Sequence, residues 1–125
     1  MIDHVSIAVR DIAISGPFYD AALAPIGYRR LITYPDRVGF GKTYPEIWLN
    51  SRPGMAAVDR DTGAHVCLRA RSSEAVDAFH KAALLQAGRD DGPPGPRKAA
   101  MVTYYGAFIR DPDGNRLEVM TVPAQ

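Results

Sequence analysis

The sequence predicts an α+β domain made of two tandem strand-helix-strand-strand-strand units, and three observations lead there. A shift of sixty-one residues lays His4, Val5, Arg10, Phe18, Ala21, Ala22, Leu23 and Gly27 on His65, Val66, Arg71, Phe79, Ala82, Ala83, Leu84 and Gly88, eight identities in twenty-four ungapped positions. In each copy a two-residue hydrophobic alternation gives way to a helical period that ends at a glycine. Short strand patterns separated by turn residues then follow. The chain is one domain over 1–125, with module 1 at about 1–51, a linker at about 52–63 and module 2 at about 64–125.

Taken in order, Asp3 to Arg10 alternates, with Val5, Ile7 and Val9 on one face and His4, Ser6, Ala8 and Arg10 on the other. The helix after it is expected to start at Ser15 as N-cap, with Pro17 in its first turn, Phe18, Ala22 and Ile26 as its apolar stripe and Gly27 as its stop. Strands are expected over Tyr28 to Tyr34, Arg37 to Phe40 and Glu46 to Asn50. Arg52 to Gly63 mixes proline, glycine and charge without periodicity and reads as the linker.

The second copy opens with His65, Cys67 and Arg69 alternating with Val66, Leu68 and Ala70. Ser72 or Ser73 caps a helix with a stripe of Val76, Phe79, Ala83 and Ala87, ended by Gly88. Asp90 to Pro96 (DDGPPGP) is expected to be a flexible loop because of its proline and glycine. Met101 to Arg110 and Asn115 to Val122 read as strands joined by a tight turn at Asp111-Pro112-Asp113-Gly114. Calcium is excluded at that turn, since counting from Asp111 the EF-hand places for glycine and the bidentate glutamate hold Arg116 and Val122. Asp111 and Asp113 read as turn residues.

Composition narrows the function. The 125 residues carry 15 basic and 14 acidic side chains, a net +1, so no basic stripe exists to meet a phosphate backbone and nucleic acid is not an expected partner. No apolar run approaches the roughly 20 residues that span a bilayer. A soluble, cytoplasmic protein is expected, and the lone Cys67 has no internal disulfide partner.

His4 and His65 stand on the polar faces of equivalent strands, and Glu118 stands on the face of the last strand opposite Leu117 and Val119. Two imidazoles and a carboxylate suit zinc, nickel or iron better than calcium or magnesium. Singly, a histidine near a strand start is usually a surface residue and a glutamate is usually solvated. The duplication relates the two histidines by an internal pseudo-twofold, and they meet only if that axis crosses a cavity. His80, beside Phe79 on the helix, reads as structural. Trp48, Asn50, Tyr104 and Tyr105 are candidate substrate-binding residues, because an aromatic wall with a few polar groups suits a small-molecule pocket. Core packing explains each aromatic equally well. Cys67 shares a face with His65 and is read either as a thiol near the metal or as a small buried hydrophobe.

The DHVSIAVRD opening, the AHVCL restart and above all the RDPDGNRLE ending resemble the vicinal oxygen chelate superfamily, the glyoxalase, bleomycin resistance and extradiol dioxygenase group. That resemblance covers nearly the whole chain and implies paired βαβββ modules whose strands form a curved mixed sheet around a cleft, often in a homodimer. It implies a divalent metal ion on His4, His65 and Glu118, with Glu118 as the catalytic proton carrier. The implied function is metal-dependent, glyoxalase-like lyase or isomerase chemistry on a small substrate with vicinal oxygens. The alternatives are an extradiol-type dioxygenase and a metal-free, bleomycin resistance type of binding protein. The chain departs from the family pattern twice. Trp48 stands where a fourth ligand is expected, and Arg97 to Thr103 lacks the histidine that many relatives carry before the double tyrosine.

Overall fold

Each half of the chain folds its own four-stranded mixed sheet in the computed structural model, which describes residues 1–123. The expected end of module 2 at residue 125 lies outside that range. The first sheet has the order β1-β4-β3-β2, from β1 (Val5–Val9), β2 (Arg29–Tyr34), β3 (Arg37–Gly41) and β4 (Pro45–Ser51). The second has the order β5-β8-β7-β6, from β5 (Val66–Arg69), β6 (Arg89–Lys98), β7 (Thr103–Arg110) and β8 (Arg116–Thr121). In both, first and last strands pair in parallel and the other neighbours are antiparallel.

The duplication is exact in strand register. Val5, Ser6 and Ile7 pair with Ile47, Trp48 and Leu49, while their sixty-one-shifted counterparts Val66, Cys67 and Leu68 pair with Leu117, Glu118 and Val119. Trp48 and Glu118 therefore occupy equivalent places.

Helix α1 (Ile12–Leu23) covers the first sheet and α2 (Ser73–Leu85) the second, and the two helices touch. Phe18, Tyr19, Ala22 and Leu23 from α1 and Val76, Phe79 and Ala83 from α2 are fully buried with Val9, Phe40, Leu49, Ile109 and Val119 in one continuous core. Fully burying an apolar side chain of this size stabilises by about 1.5–3 kcal/mol.

Four expectations are corrected. The cap of α1 is Asp11, whose carboxylate accepts from Ala13 N at 2.9 Å, and Pro17 lies inside the helix. Ser15 is already helical and buried, its hydroxyl turned to Asp113 at 3.3 Å. At the end of α2, Ala87 is exposed and takes the left-handed conformation, φ 68°, so it leaves the stripe. Gly88 serves a different purpose, since a Cβ there would stand 2.6 Å from both Ala83 O and the Phe18 ring. It lets the chain leaving α2 pass close to Phe18 of α1.

The fourth concerns Asp90 to Pro96, which is not a loop but part of β6. Prolines lack the N–H that a central strand must donate, but β6 is an edge strand paired only with β7, and its register slips between Asp90 and Gly92 and again between Gly92 and Gly95. The bulges absorb what the prolines and glycines cannot pair.

Candidate functional site

Alternation on the second sheet puts Val66, Leu68, Leu117 and Val119 under α2 and leaves His65, Cys67, Glu118, Tyr104 and Phe108 on the open face. Glu118 is the centre of that face. It is 6% exposed, His65 Nε2 donates to its Oε1 at 3.0 Å, and the Tyr104 hydroxyl donates to its Oε2 at 2.7 Å. A buried carboxylate is tolerable only with such partners.

Two neighbours feel that carboxylate. The Tyr104 hydroxyl is pushed up to about 12, first by its hydrogen bond to Glu118. Cys67 is an exposed residue and not a buried hydrophobe, but partial desolvation of its thiol, followed by the Glu118 charge and its hydrogen bond, pushes it up to about 12. Cys67 is thus a neutral donor beside Glu118 at ordinary pH, and a thiolate ligand or nucleophile there is disfavoured. The Tyr104 ring lies over Gly106, where a Cβ would come within 2.7 Å of it. The bare glycine lets the ring reach Glu118.

His4 lies elsewhere. It precedes β1 with a half-exposed side chain, and its Nδ1 bonds Asp3 at 2.6 Å while the Tyr44 hydroxyl donates to the same carboxylate at 2.9 Å. These two bonds hold Asp3 below the usual carboxylate range, His4 being the larger cause. His4 and His65 nonetheless line one cleft of about 310 Å³ between β1 and β5, together with Tyr28, Glu46 and Cys67. Burial, then the Glu46 carboxylate, pushes the Tyr28 hydroxyl up to about 12.

The structure thus joins His65 to Glu118 and Tyr104, and brings His4 to the same cleft without joining it to them. Trp48 and Asn50 are half-buried on the face of β4 that also presents Glu46, and the Trp48 ring stands over Gly39. Tyr105 goes the other way. Its hydroxyl donates to Asp77 on α2 at 2.7 Å, because consecutive strand residues face opposite sides, so it leaves the candidate set. His80 is structural, as expected, with Nε2 on Asp90 at 2.8 Å.

A metal needs at least three convergent donors from the protein. Among the described residues no group of three His, Cys, Asp or Glu side chains lies close enough to hold an ion. His65 and Glu118 give two, and the pseudo-symmetric place of Glu118 holds an indole. As arranged within one chain, these residues do not fit a three-ligand centre.

Residues that the sequence reading did not single out complete the open face. Phe108 lies 5.8 Å from the His65 ring, with the Arg116 guanidinium 4.1 Å and the Arg97 guanidinium 5.2 Å from its centroid. Alternation along β7 was the available signal, since Tyr104, Gly106, Phe108 and Arg110 share one face.

Asp111 and Asp113 form the expected turn and also do more. Asp111 is 0% exposed and accepts from Tyr19 Oη at 2.7 Å, Asp113 N at 2.9 Å, Asn115 N at 2.8 Å and Asn115 Nδ2 at 2.9 Å. Asp113 accepts from Arg10 Nε at 2.7 Å, and Asn115 Nδ2 donates to Ala8 O at 2.9 Å. The turn of module 2 is pinned into β1 and α1. Burial raises the Asp111 carboxyl above its usual range, against the bonds it accepts.

No helix of the described residues is long and apolar enough to cross a membrane. No curated protein sequence matches the chain. Among solved structures, a glyoxalase/bleomycin resistance protein from Albidiferax ferrireducens T118 is 30% identical, with 94% of this chain and 96% of that one covered at a TM-score of 0.83. Two more distant structures share the fold. A glyoxalase/bleomycin resistance protein/dioxygenase family enzyme from Burkholderia phytofirmans PsJN has 19% identity, TM-score 0.72 and 98% coverage of both chains. A lactoylglutathione lyase from Agrobacterium tumefaciens has 19% identity and TM-score 0.64, with 97% of this chain and 92% of that one covered. A sequence model of the Glyoxalase/Bleomycin resistance protein/Dioxygenase superfamily matches residues 1–119, and with the paired βαβββ sheets, the chain belongs to that superfamily.

Proposed function

We propose that this protein binds a small oxygen-bearing molecule in the cleft between its modules through its own side chains, as a sequestering or carrier protein of its superfamily. The observation that carries this reading is the register equivalence of Trp48 and Glu118. One module offers a buried carboxylate with three donors around it, and the other offers an aromatic surface at the equivalent position of its own sheet. A polar anchor opposite an apolar wall is how small-molecule sites gain orientation and affinity together. A hydroxyl of the ligand would replace Tyr104 or His65 as donor to Glu118.

Trp48 is the only tryptophan in the sequence and shares a face of β4 with Glu46, which lines the cleft, so its emission is the available optical reporter beside the cleft. Catechol and lactate, as probes with vicinal oxygens, are expected to change that emission saturably, and Glu118→Gln should weaken the response about tenfold, the value of one hydrogen bond to a charged group. The companion measurement is elemental mass spectrometry on untagged protein purified without chelators, and again after exposure to zinc, nickel or iron. About one ion per chain, lost in His65→Ala, would overturn the metal-free reading in favour of metal-dependent lyase or dioxygenase chemistry.

Proton transfer is the second reading, favoured by the path from solvent to Glu118. The His65 side chain is 34% exposed while Glu118 beside it is nearly closed off, the arrangement of a buried base with an accessible relay. Exchange of a carbon-bound substrate proton with deuterated solvent, abolished in Glu118→Gln, is the outcome that would select this activity over binding alone.

A further inference from the structure

The last pairs of the second sheet put three arginines in one cross-strand row. Arg89 on β6 is directly opposite Arg110 on β7, and Arg110 is directly opposite Arg116 on β8. Like charges placed opposite one another destabilise a sheet unless something neutralises them. One carboxylate is available within the row, and it is over-used. Asp91 Oδ2 accepts from Arg110 Nε at 3.1 Å and from Arg116 Nε at 2.7 Å.

A fourth arginine is held beside them. Arg110 Nη2 donates to the backbone carbonyl of Arg60 at 2.7 Å, and its Nη1 donates to Gly114 O at 3.2 Å, so the linker is fastened with Arg60 at the rim. The guanidinium groups of Arg60 and Arg89 make no hydrogen bond or ion pair among the described residues, and the two terminal nitrogens of Arg116 make none either. Asp90 also lines the groove and offsets them in part, but its Oδ1 is directed to His80 Nε2 at 2.8 Å and Gly92 N at 3.1 Å, and it makes no ion pair with an arginine among the described residues. Asp61 is the third acid of the groove, beside Asp90 and Asp91.

Two adjoining cavities open on this cluster. One, of about 350 Å³, is lined by Arg60, Arg89, Asp90, Asp91 and Arg110. The other, of about 380 Å³, is lined by Arg60, Thr62, Asp91, Arg110 and Arg116. We infer that this groove is an oxyanion-binding site, for the phosphate or carboxylate group of a small molecule, with Arg60, Arg89 and Arg116 as its donors and Arg110 as the residue that positions them. Forked guanidinium donors match the oxygens of such a group, and a single anion would neutralise the row that Asp91 only partly offsets. It adjoins the Glu118 face through Arg116, whose guanidinium lies over Phe108, but it does not depend on the reading of that site.

The test is a titration of the full chain with inorganic phosphate, followed by the arginine Nε–H signals in ¹H–¹⁵N spectra and by calorimetry, with acetate titrated in parallel. Saturable shifts of Arg89 and Arg116 signals are expected. Arg60→Ala and Arg89→Ala, both changes of exposed side chains, should each weaken phosphate binding about tenfold, while Arg37→Ala on the first sheet should not. Tighter binding of phosphate than of acetate assigns a phosphate ester, and the reverse order a carboxylate. Shifts no larger than equal ionic strength of sodium chloride produces, or affinity retained in the Arg60→Ala/Arg89→Ala double variant, would overturn the inference.

Discussion

Glu118 and Asp111 are both buried carboxylates on the β7–β8 hairpin, and their surroundings give them opposite uses. Asp111 is saturated by Tyr19, Asn115 and two backbone N–H groups, all fixed parts of the fold. Glu118 is met by two side chains, His65 at a cleft and Tyr104 on the open face, and by no backbone group among the described residues. Removing Asp111 leaves four donors without an acceptor, so Asp111→Ala should lower the unfolding free energy by about 3 kcal/mol, and Tyr19→Phe by about 1–2 kcal/mol, in urea titrations. Cys67 gives a kinetic test of the Glu118 environment. With its thiol pushed up to about 12, alkylation at pH 8 should be about 50-fold slower than for an unhindered thiol, the loss of thiolate being partly offset by its greater nucleophilicity, and Glu118→Gln should accelerate it. Equal rates in the two proteins would remove Glu118 as the cause.

At the scale of elements, the strand–helix periodicity was legible because each helix and sheet buries one face, and burial is what hydrophobic spacing records. What escaped were features set by neighbours distant in sequence. Nothing in DDGPPGP says that it runs along a sheet edge, where missing N–H groups cost nothing, and nothing in the serine at position 15 says that an aspartate ninety-eight residues away takes its hydroxyl. Gly106 and the Tyr104 ring are a similar pair, and Gly106→Val should drive the ring from Glu118, seen as loss of the Glu118→Gln-sensitive tryptophan response with the fold intact by circular dichroism. The α2–β6 contact carries a pH dependence. Its hydrogen bond to His80, then the one from Gly92 N, holds Asp90 below its ordinary value. A lowered folded value means that the contribution is present above the unfolded value of about 3.9 and is lost as the pH falls through the folded one. Asp90→Asn should therefore narrow its stability difference from the parent protein in acid, measured by urea titrations from pH 6 downward.

For the molecule as a whole, the repeat was the most legible feature and its breakdown the most informative. The family pattern, and not the sixty-one-residue shift, matched Trp48 to Glu118, and the strand register puts them in equivalent positions. The sixty-one-residue shift equated His4 with His65, yet one bonds Asp3 at the surface and the other bonds Glu118 on the open face of the second sheet. The difference lies in partners that the duplication did not copy, since Tyr44 comes from a turn and Tyr104 from a strand. Between the modules, Arg10, Ser15 and Tyr19 on one side meet Asp113 and Asp111 on the other, and Asn115 reaches Ala8 O. Arg10→Ala should cost about 1–2 kcal/mol, less than Asp111→Ala because the Arg10 side chain is 43% exposed and solvent replaces part of its bond.

That inter-module pin also sets an order of events during synthesis. Module 1 is translated first and emerges with its strands and helix complete, but the acceptors for Tyr19 and Arg10 lie about a hundred residues downstream. Contacts between such distant positions close late. A nascent chain arrested anywhere before Asp111 would hold a finished sheet whose helix has a tyrosine hydroxyl facing the core with nothing to receive it. The second module is then more than a copy of the first; its final hairpin is the piece that lets the earlier half reach its native state.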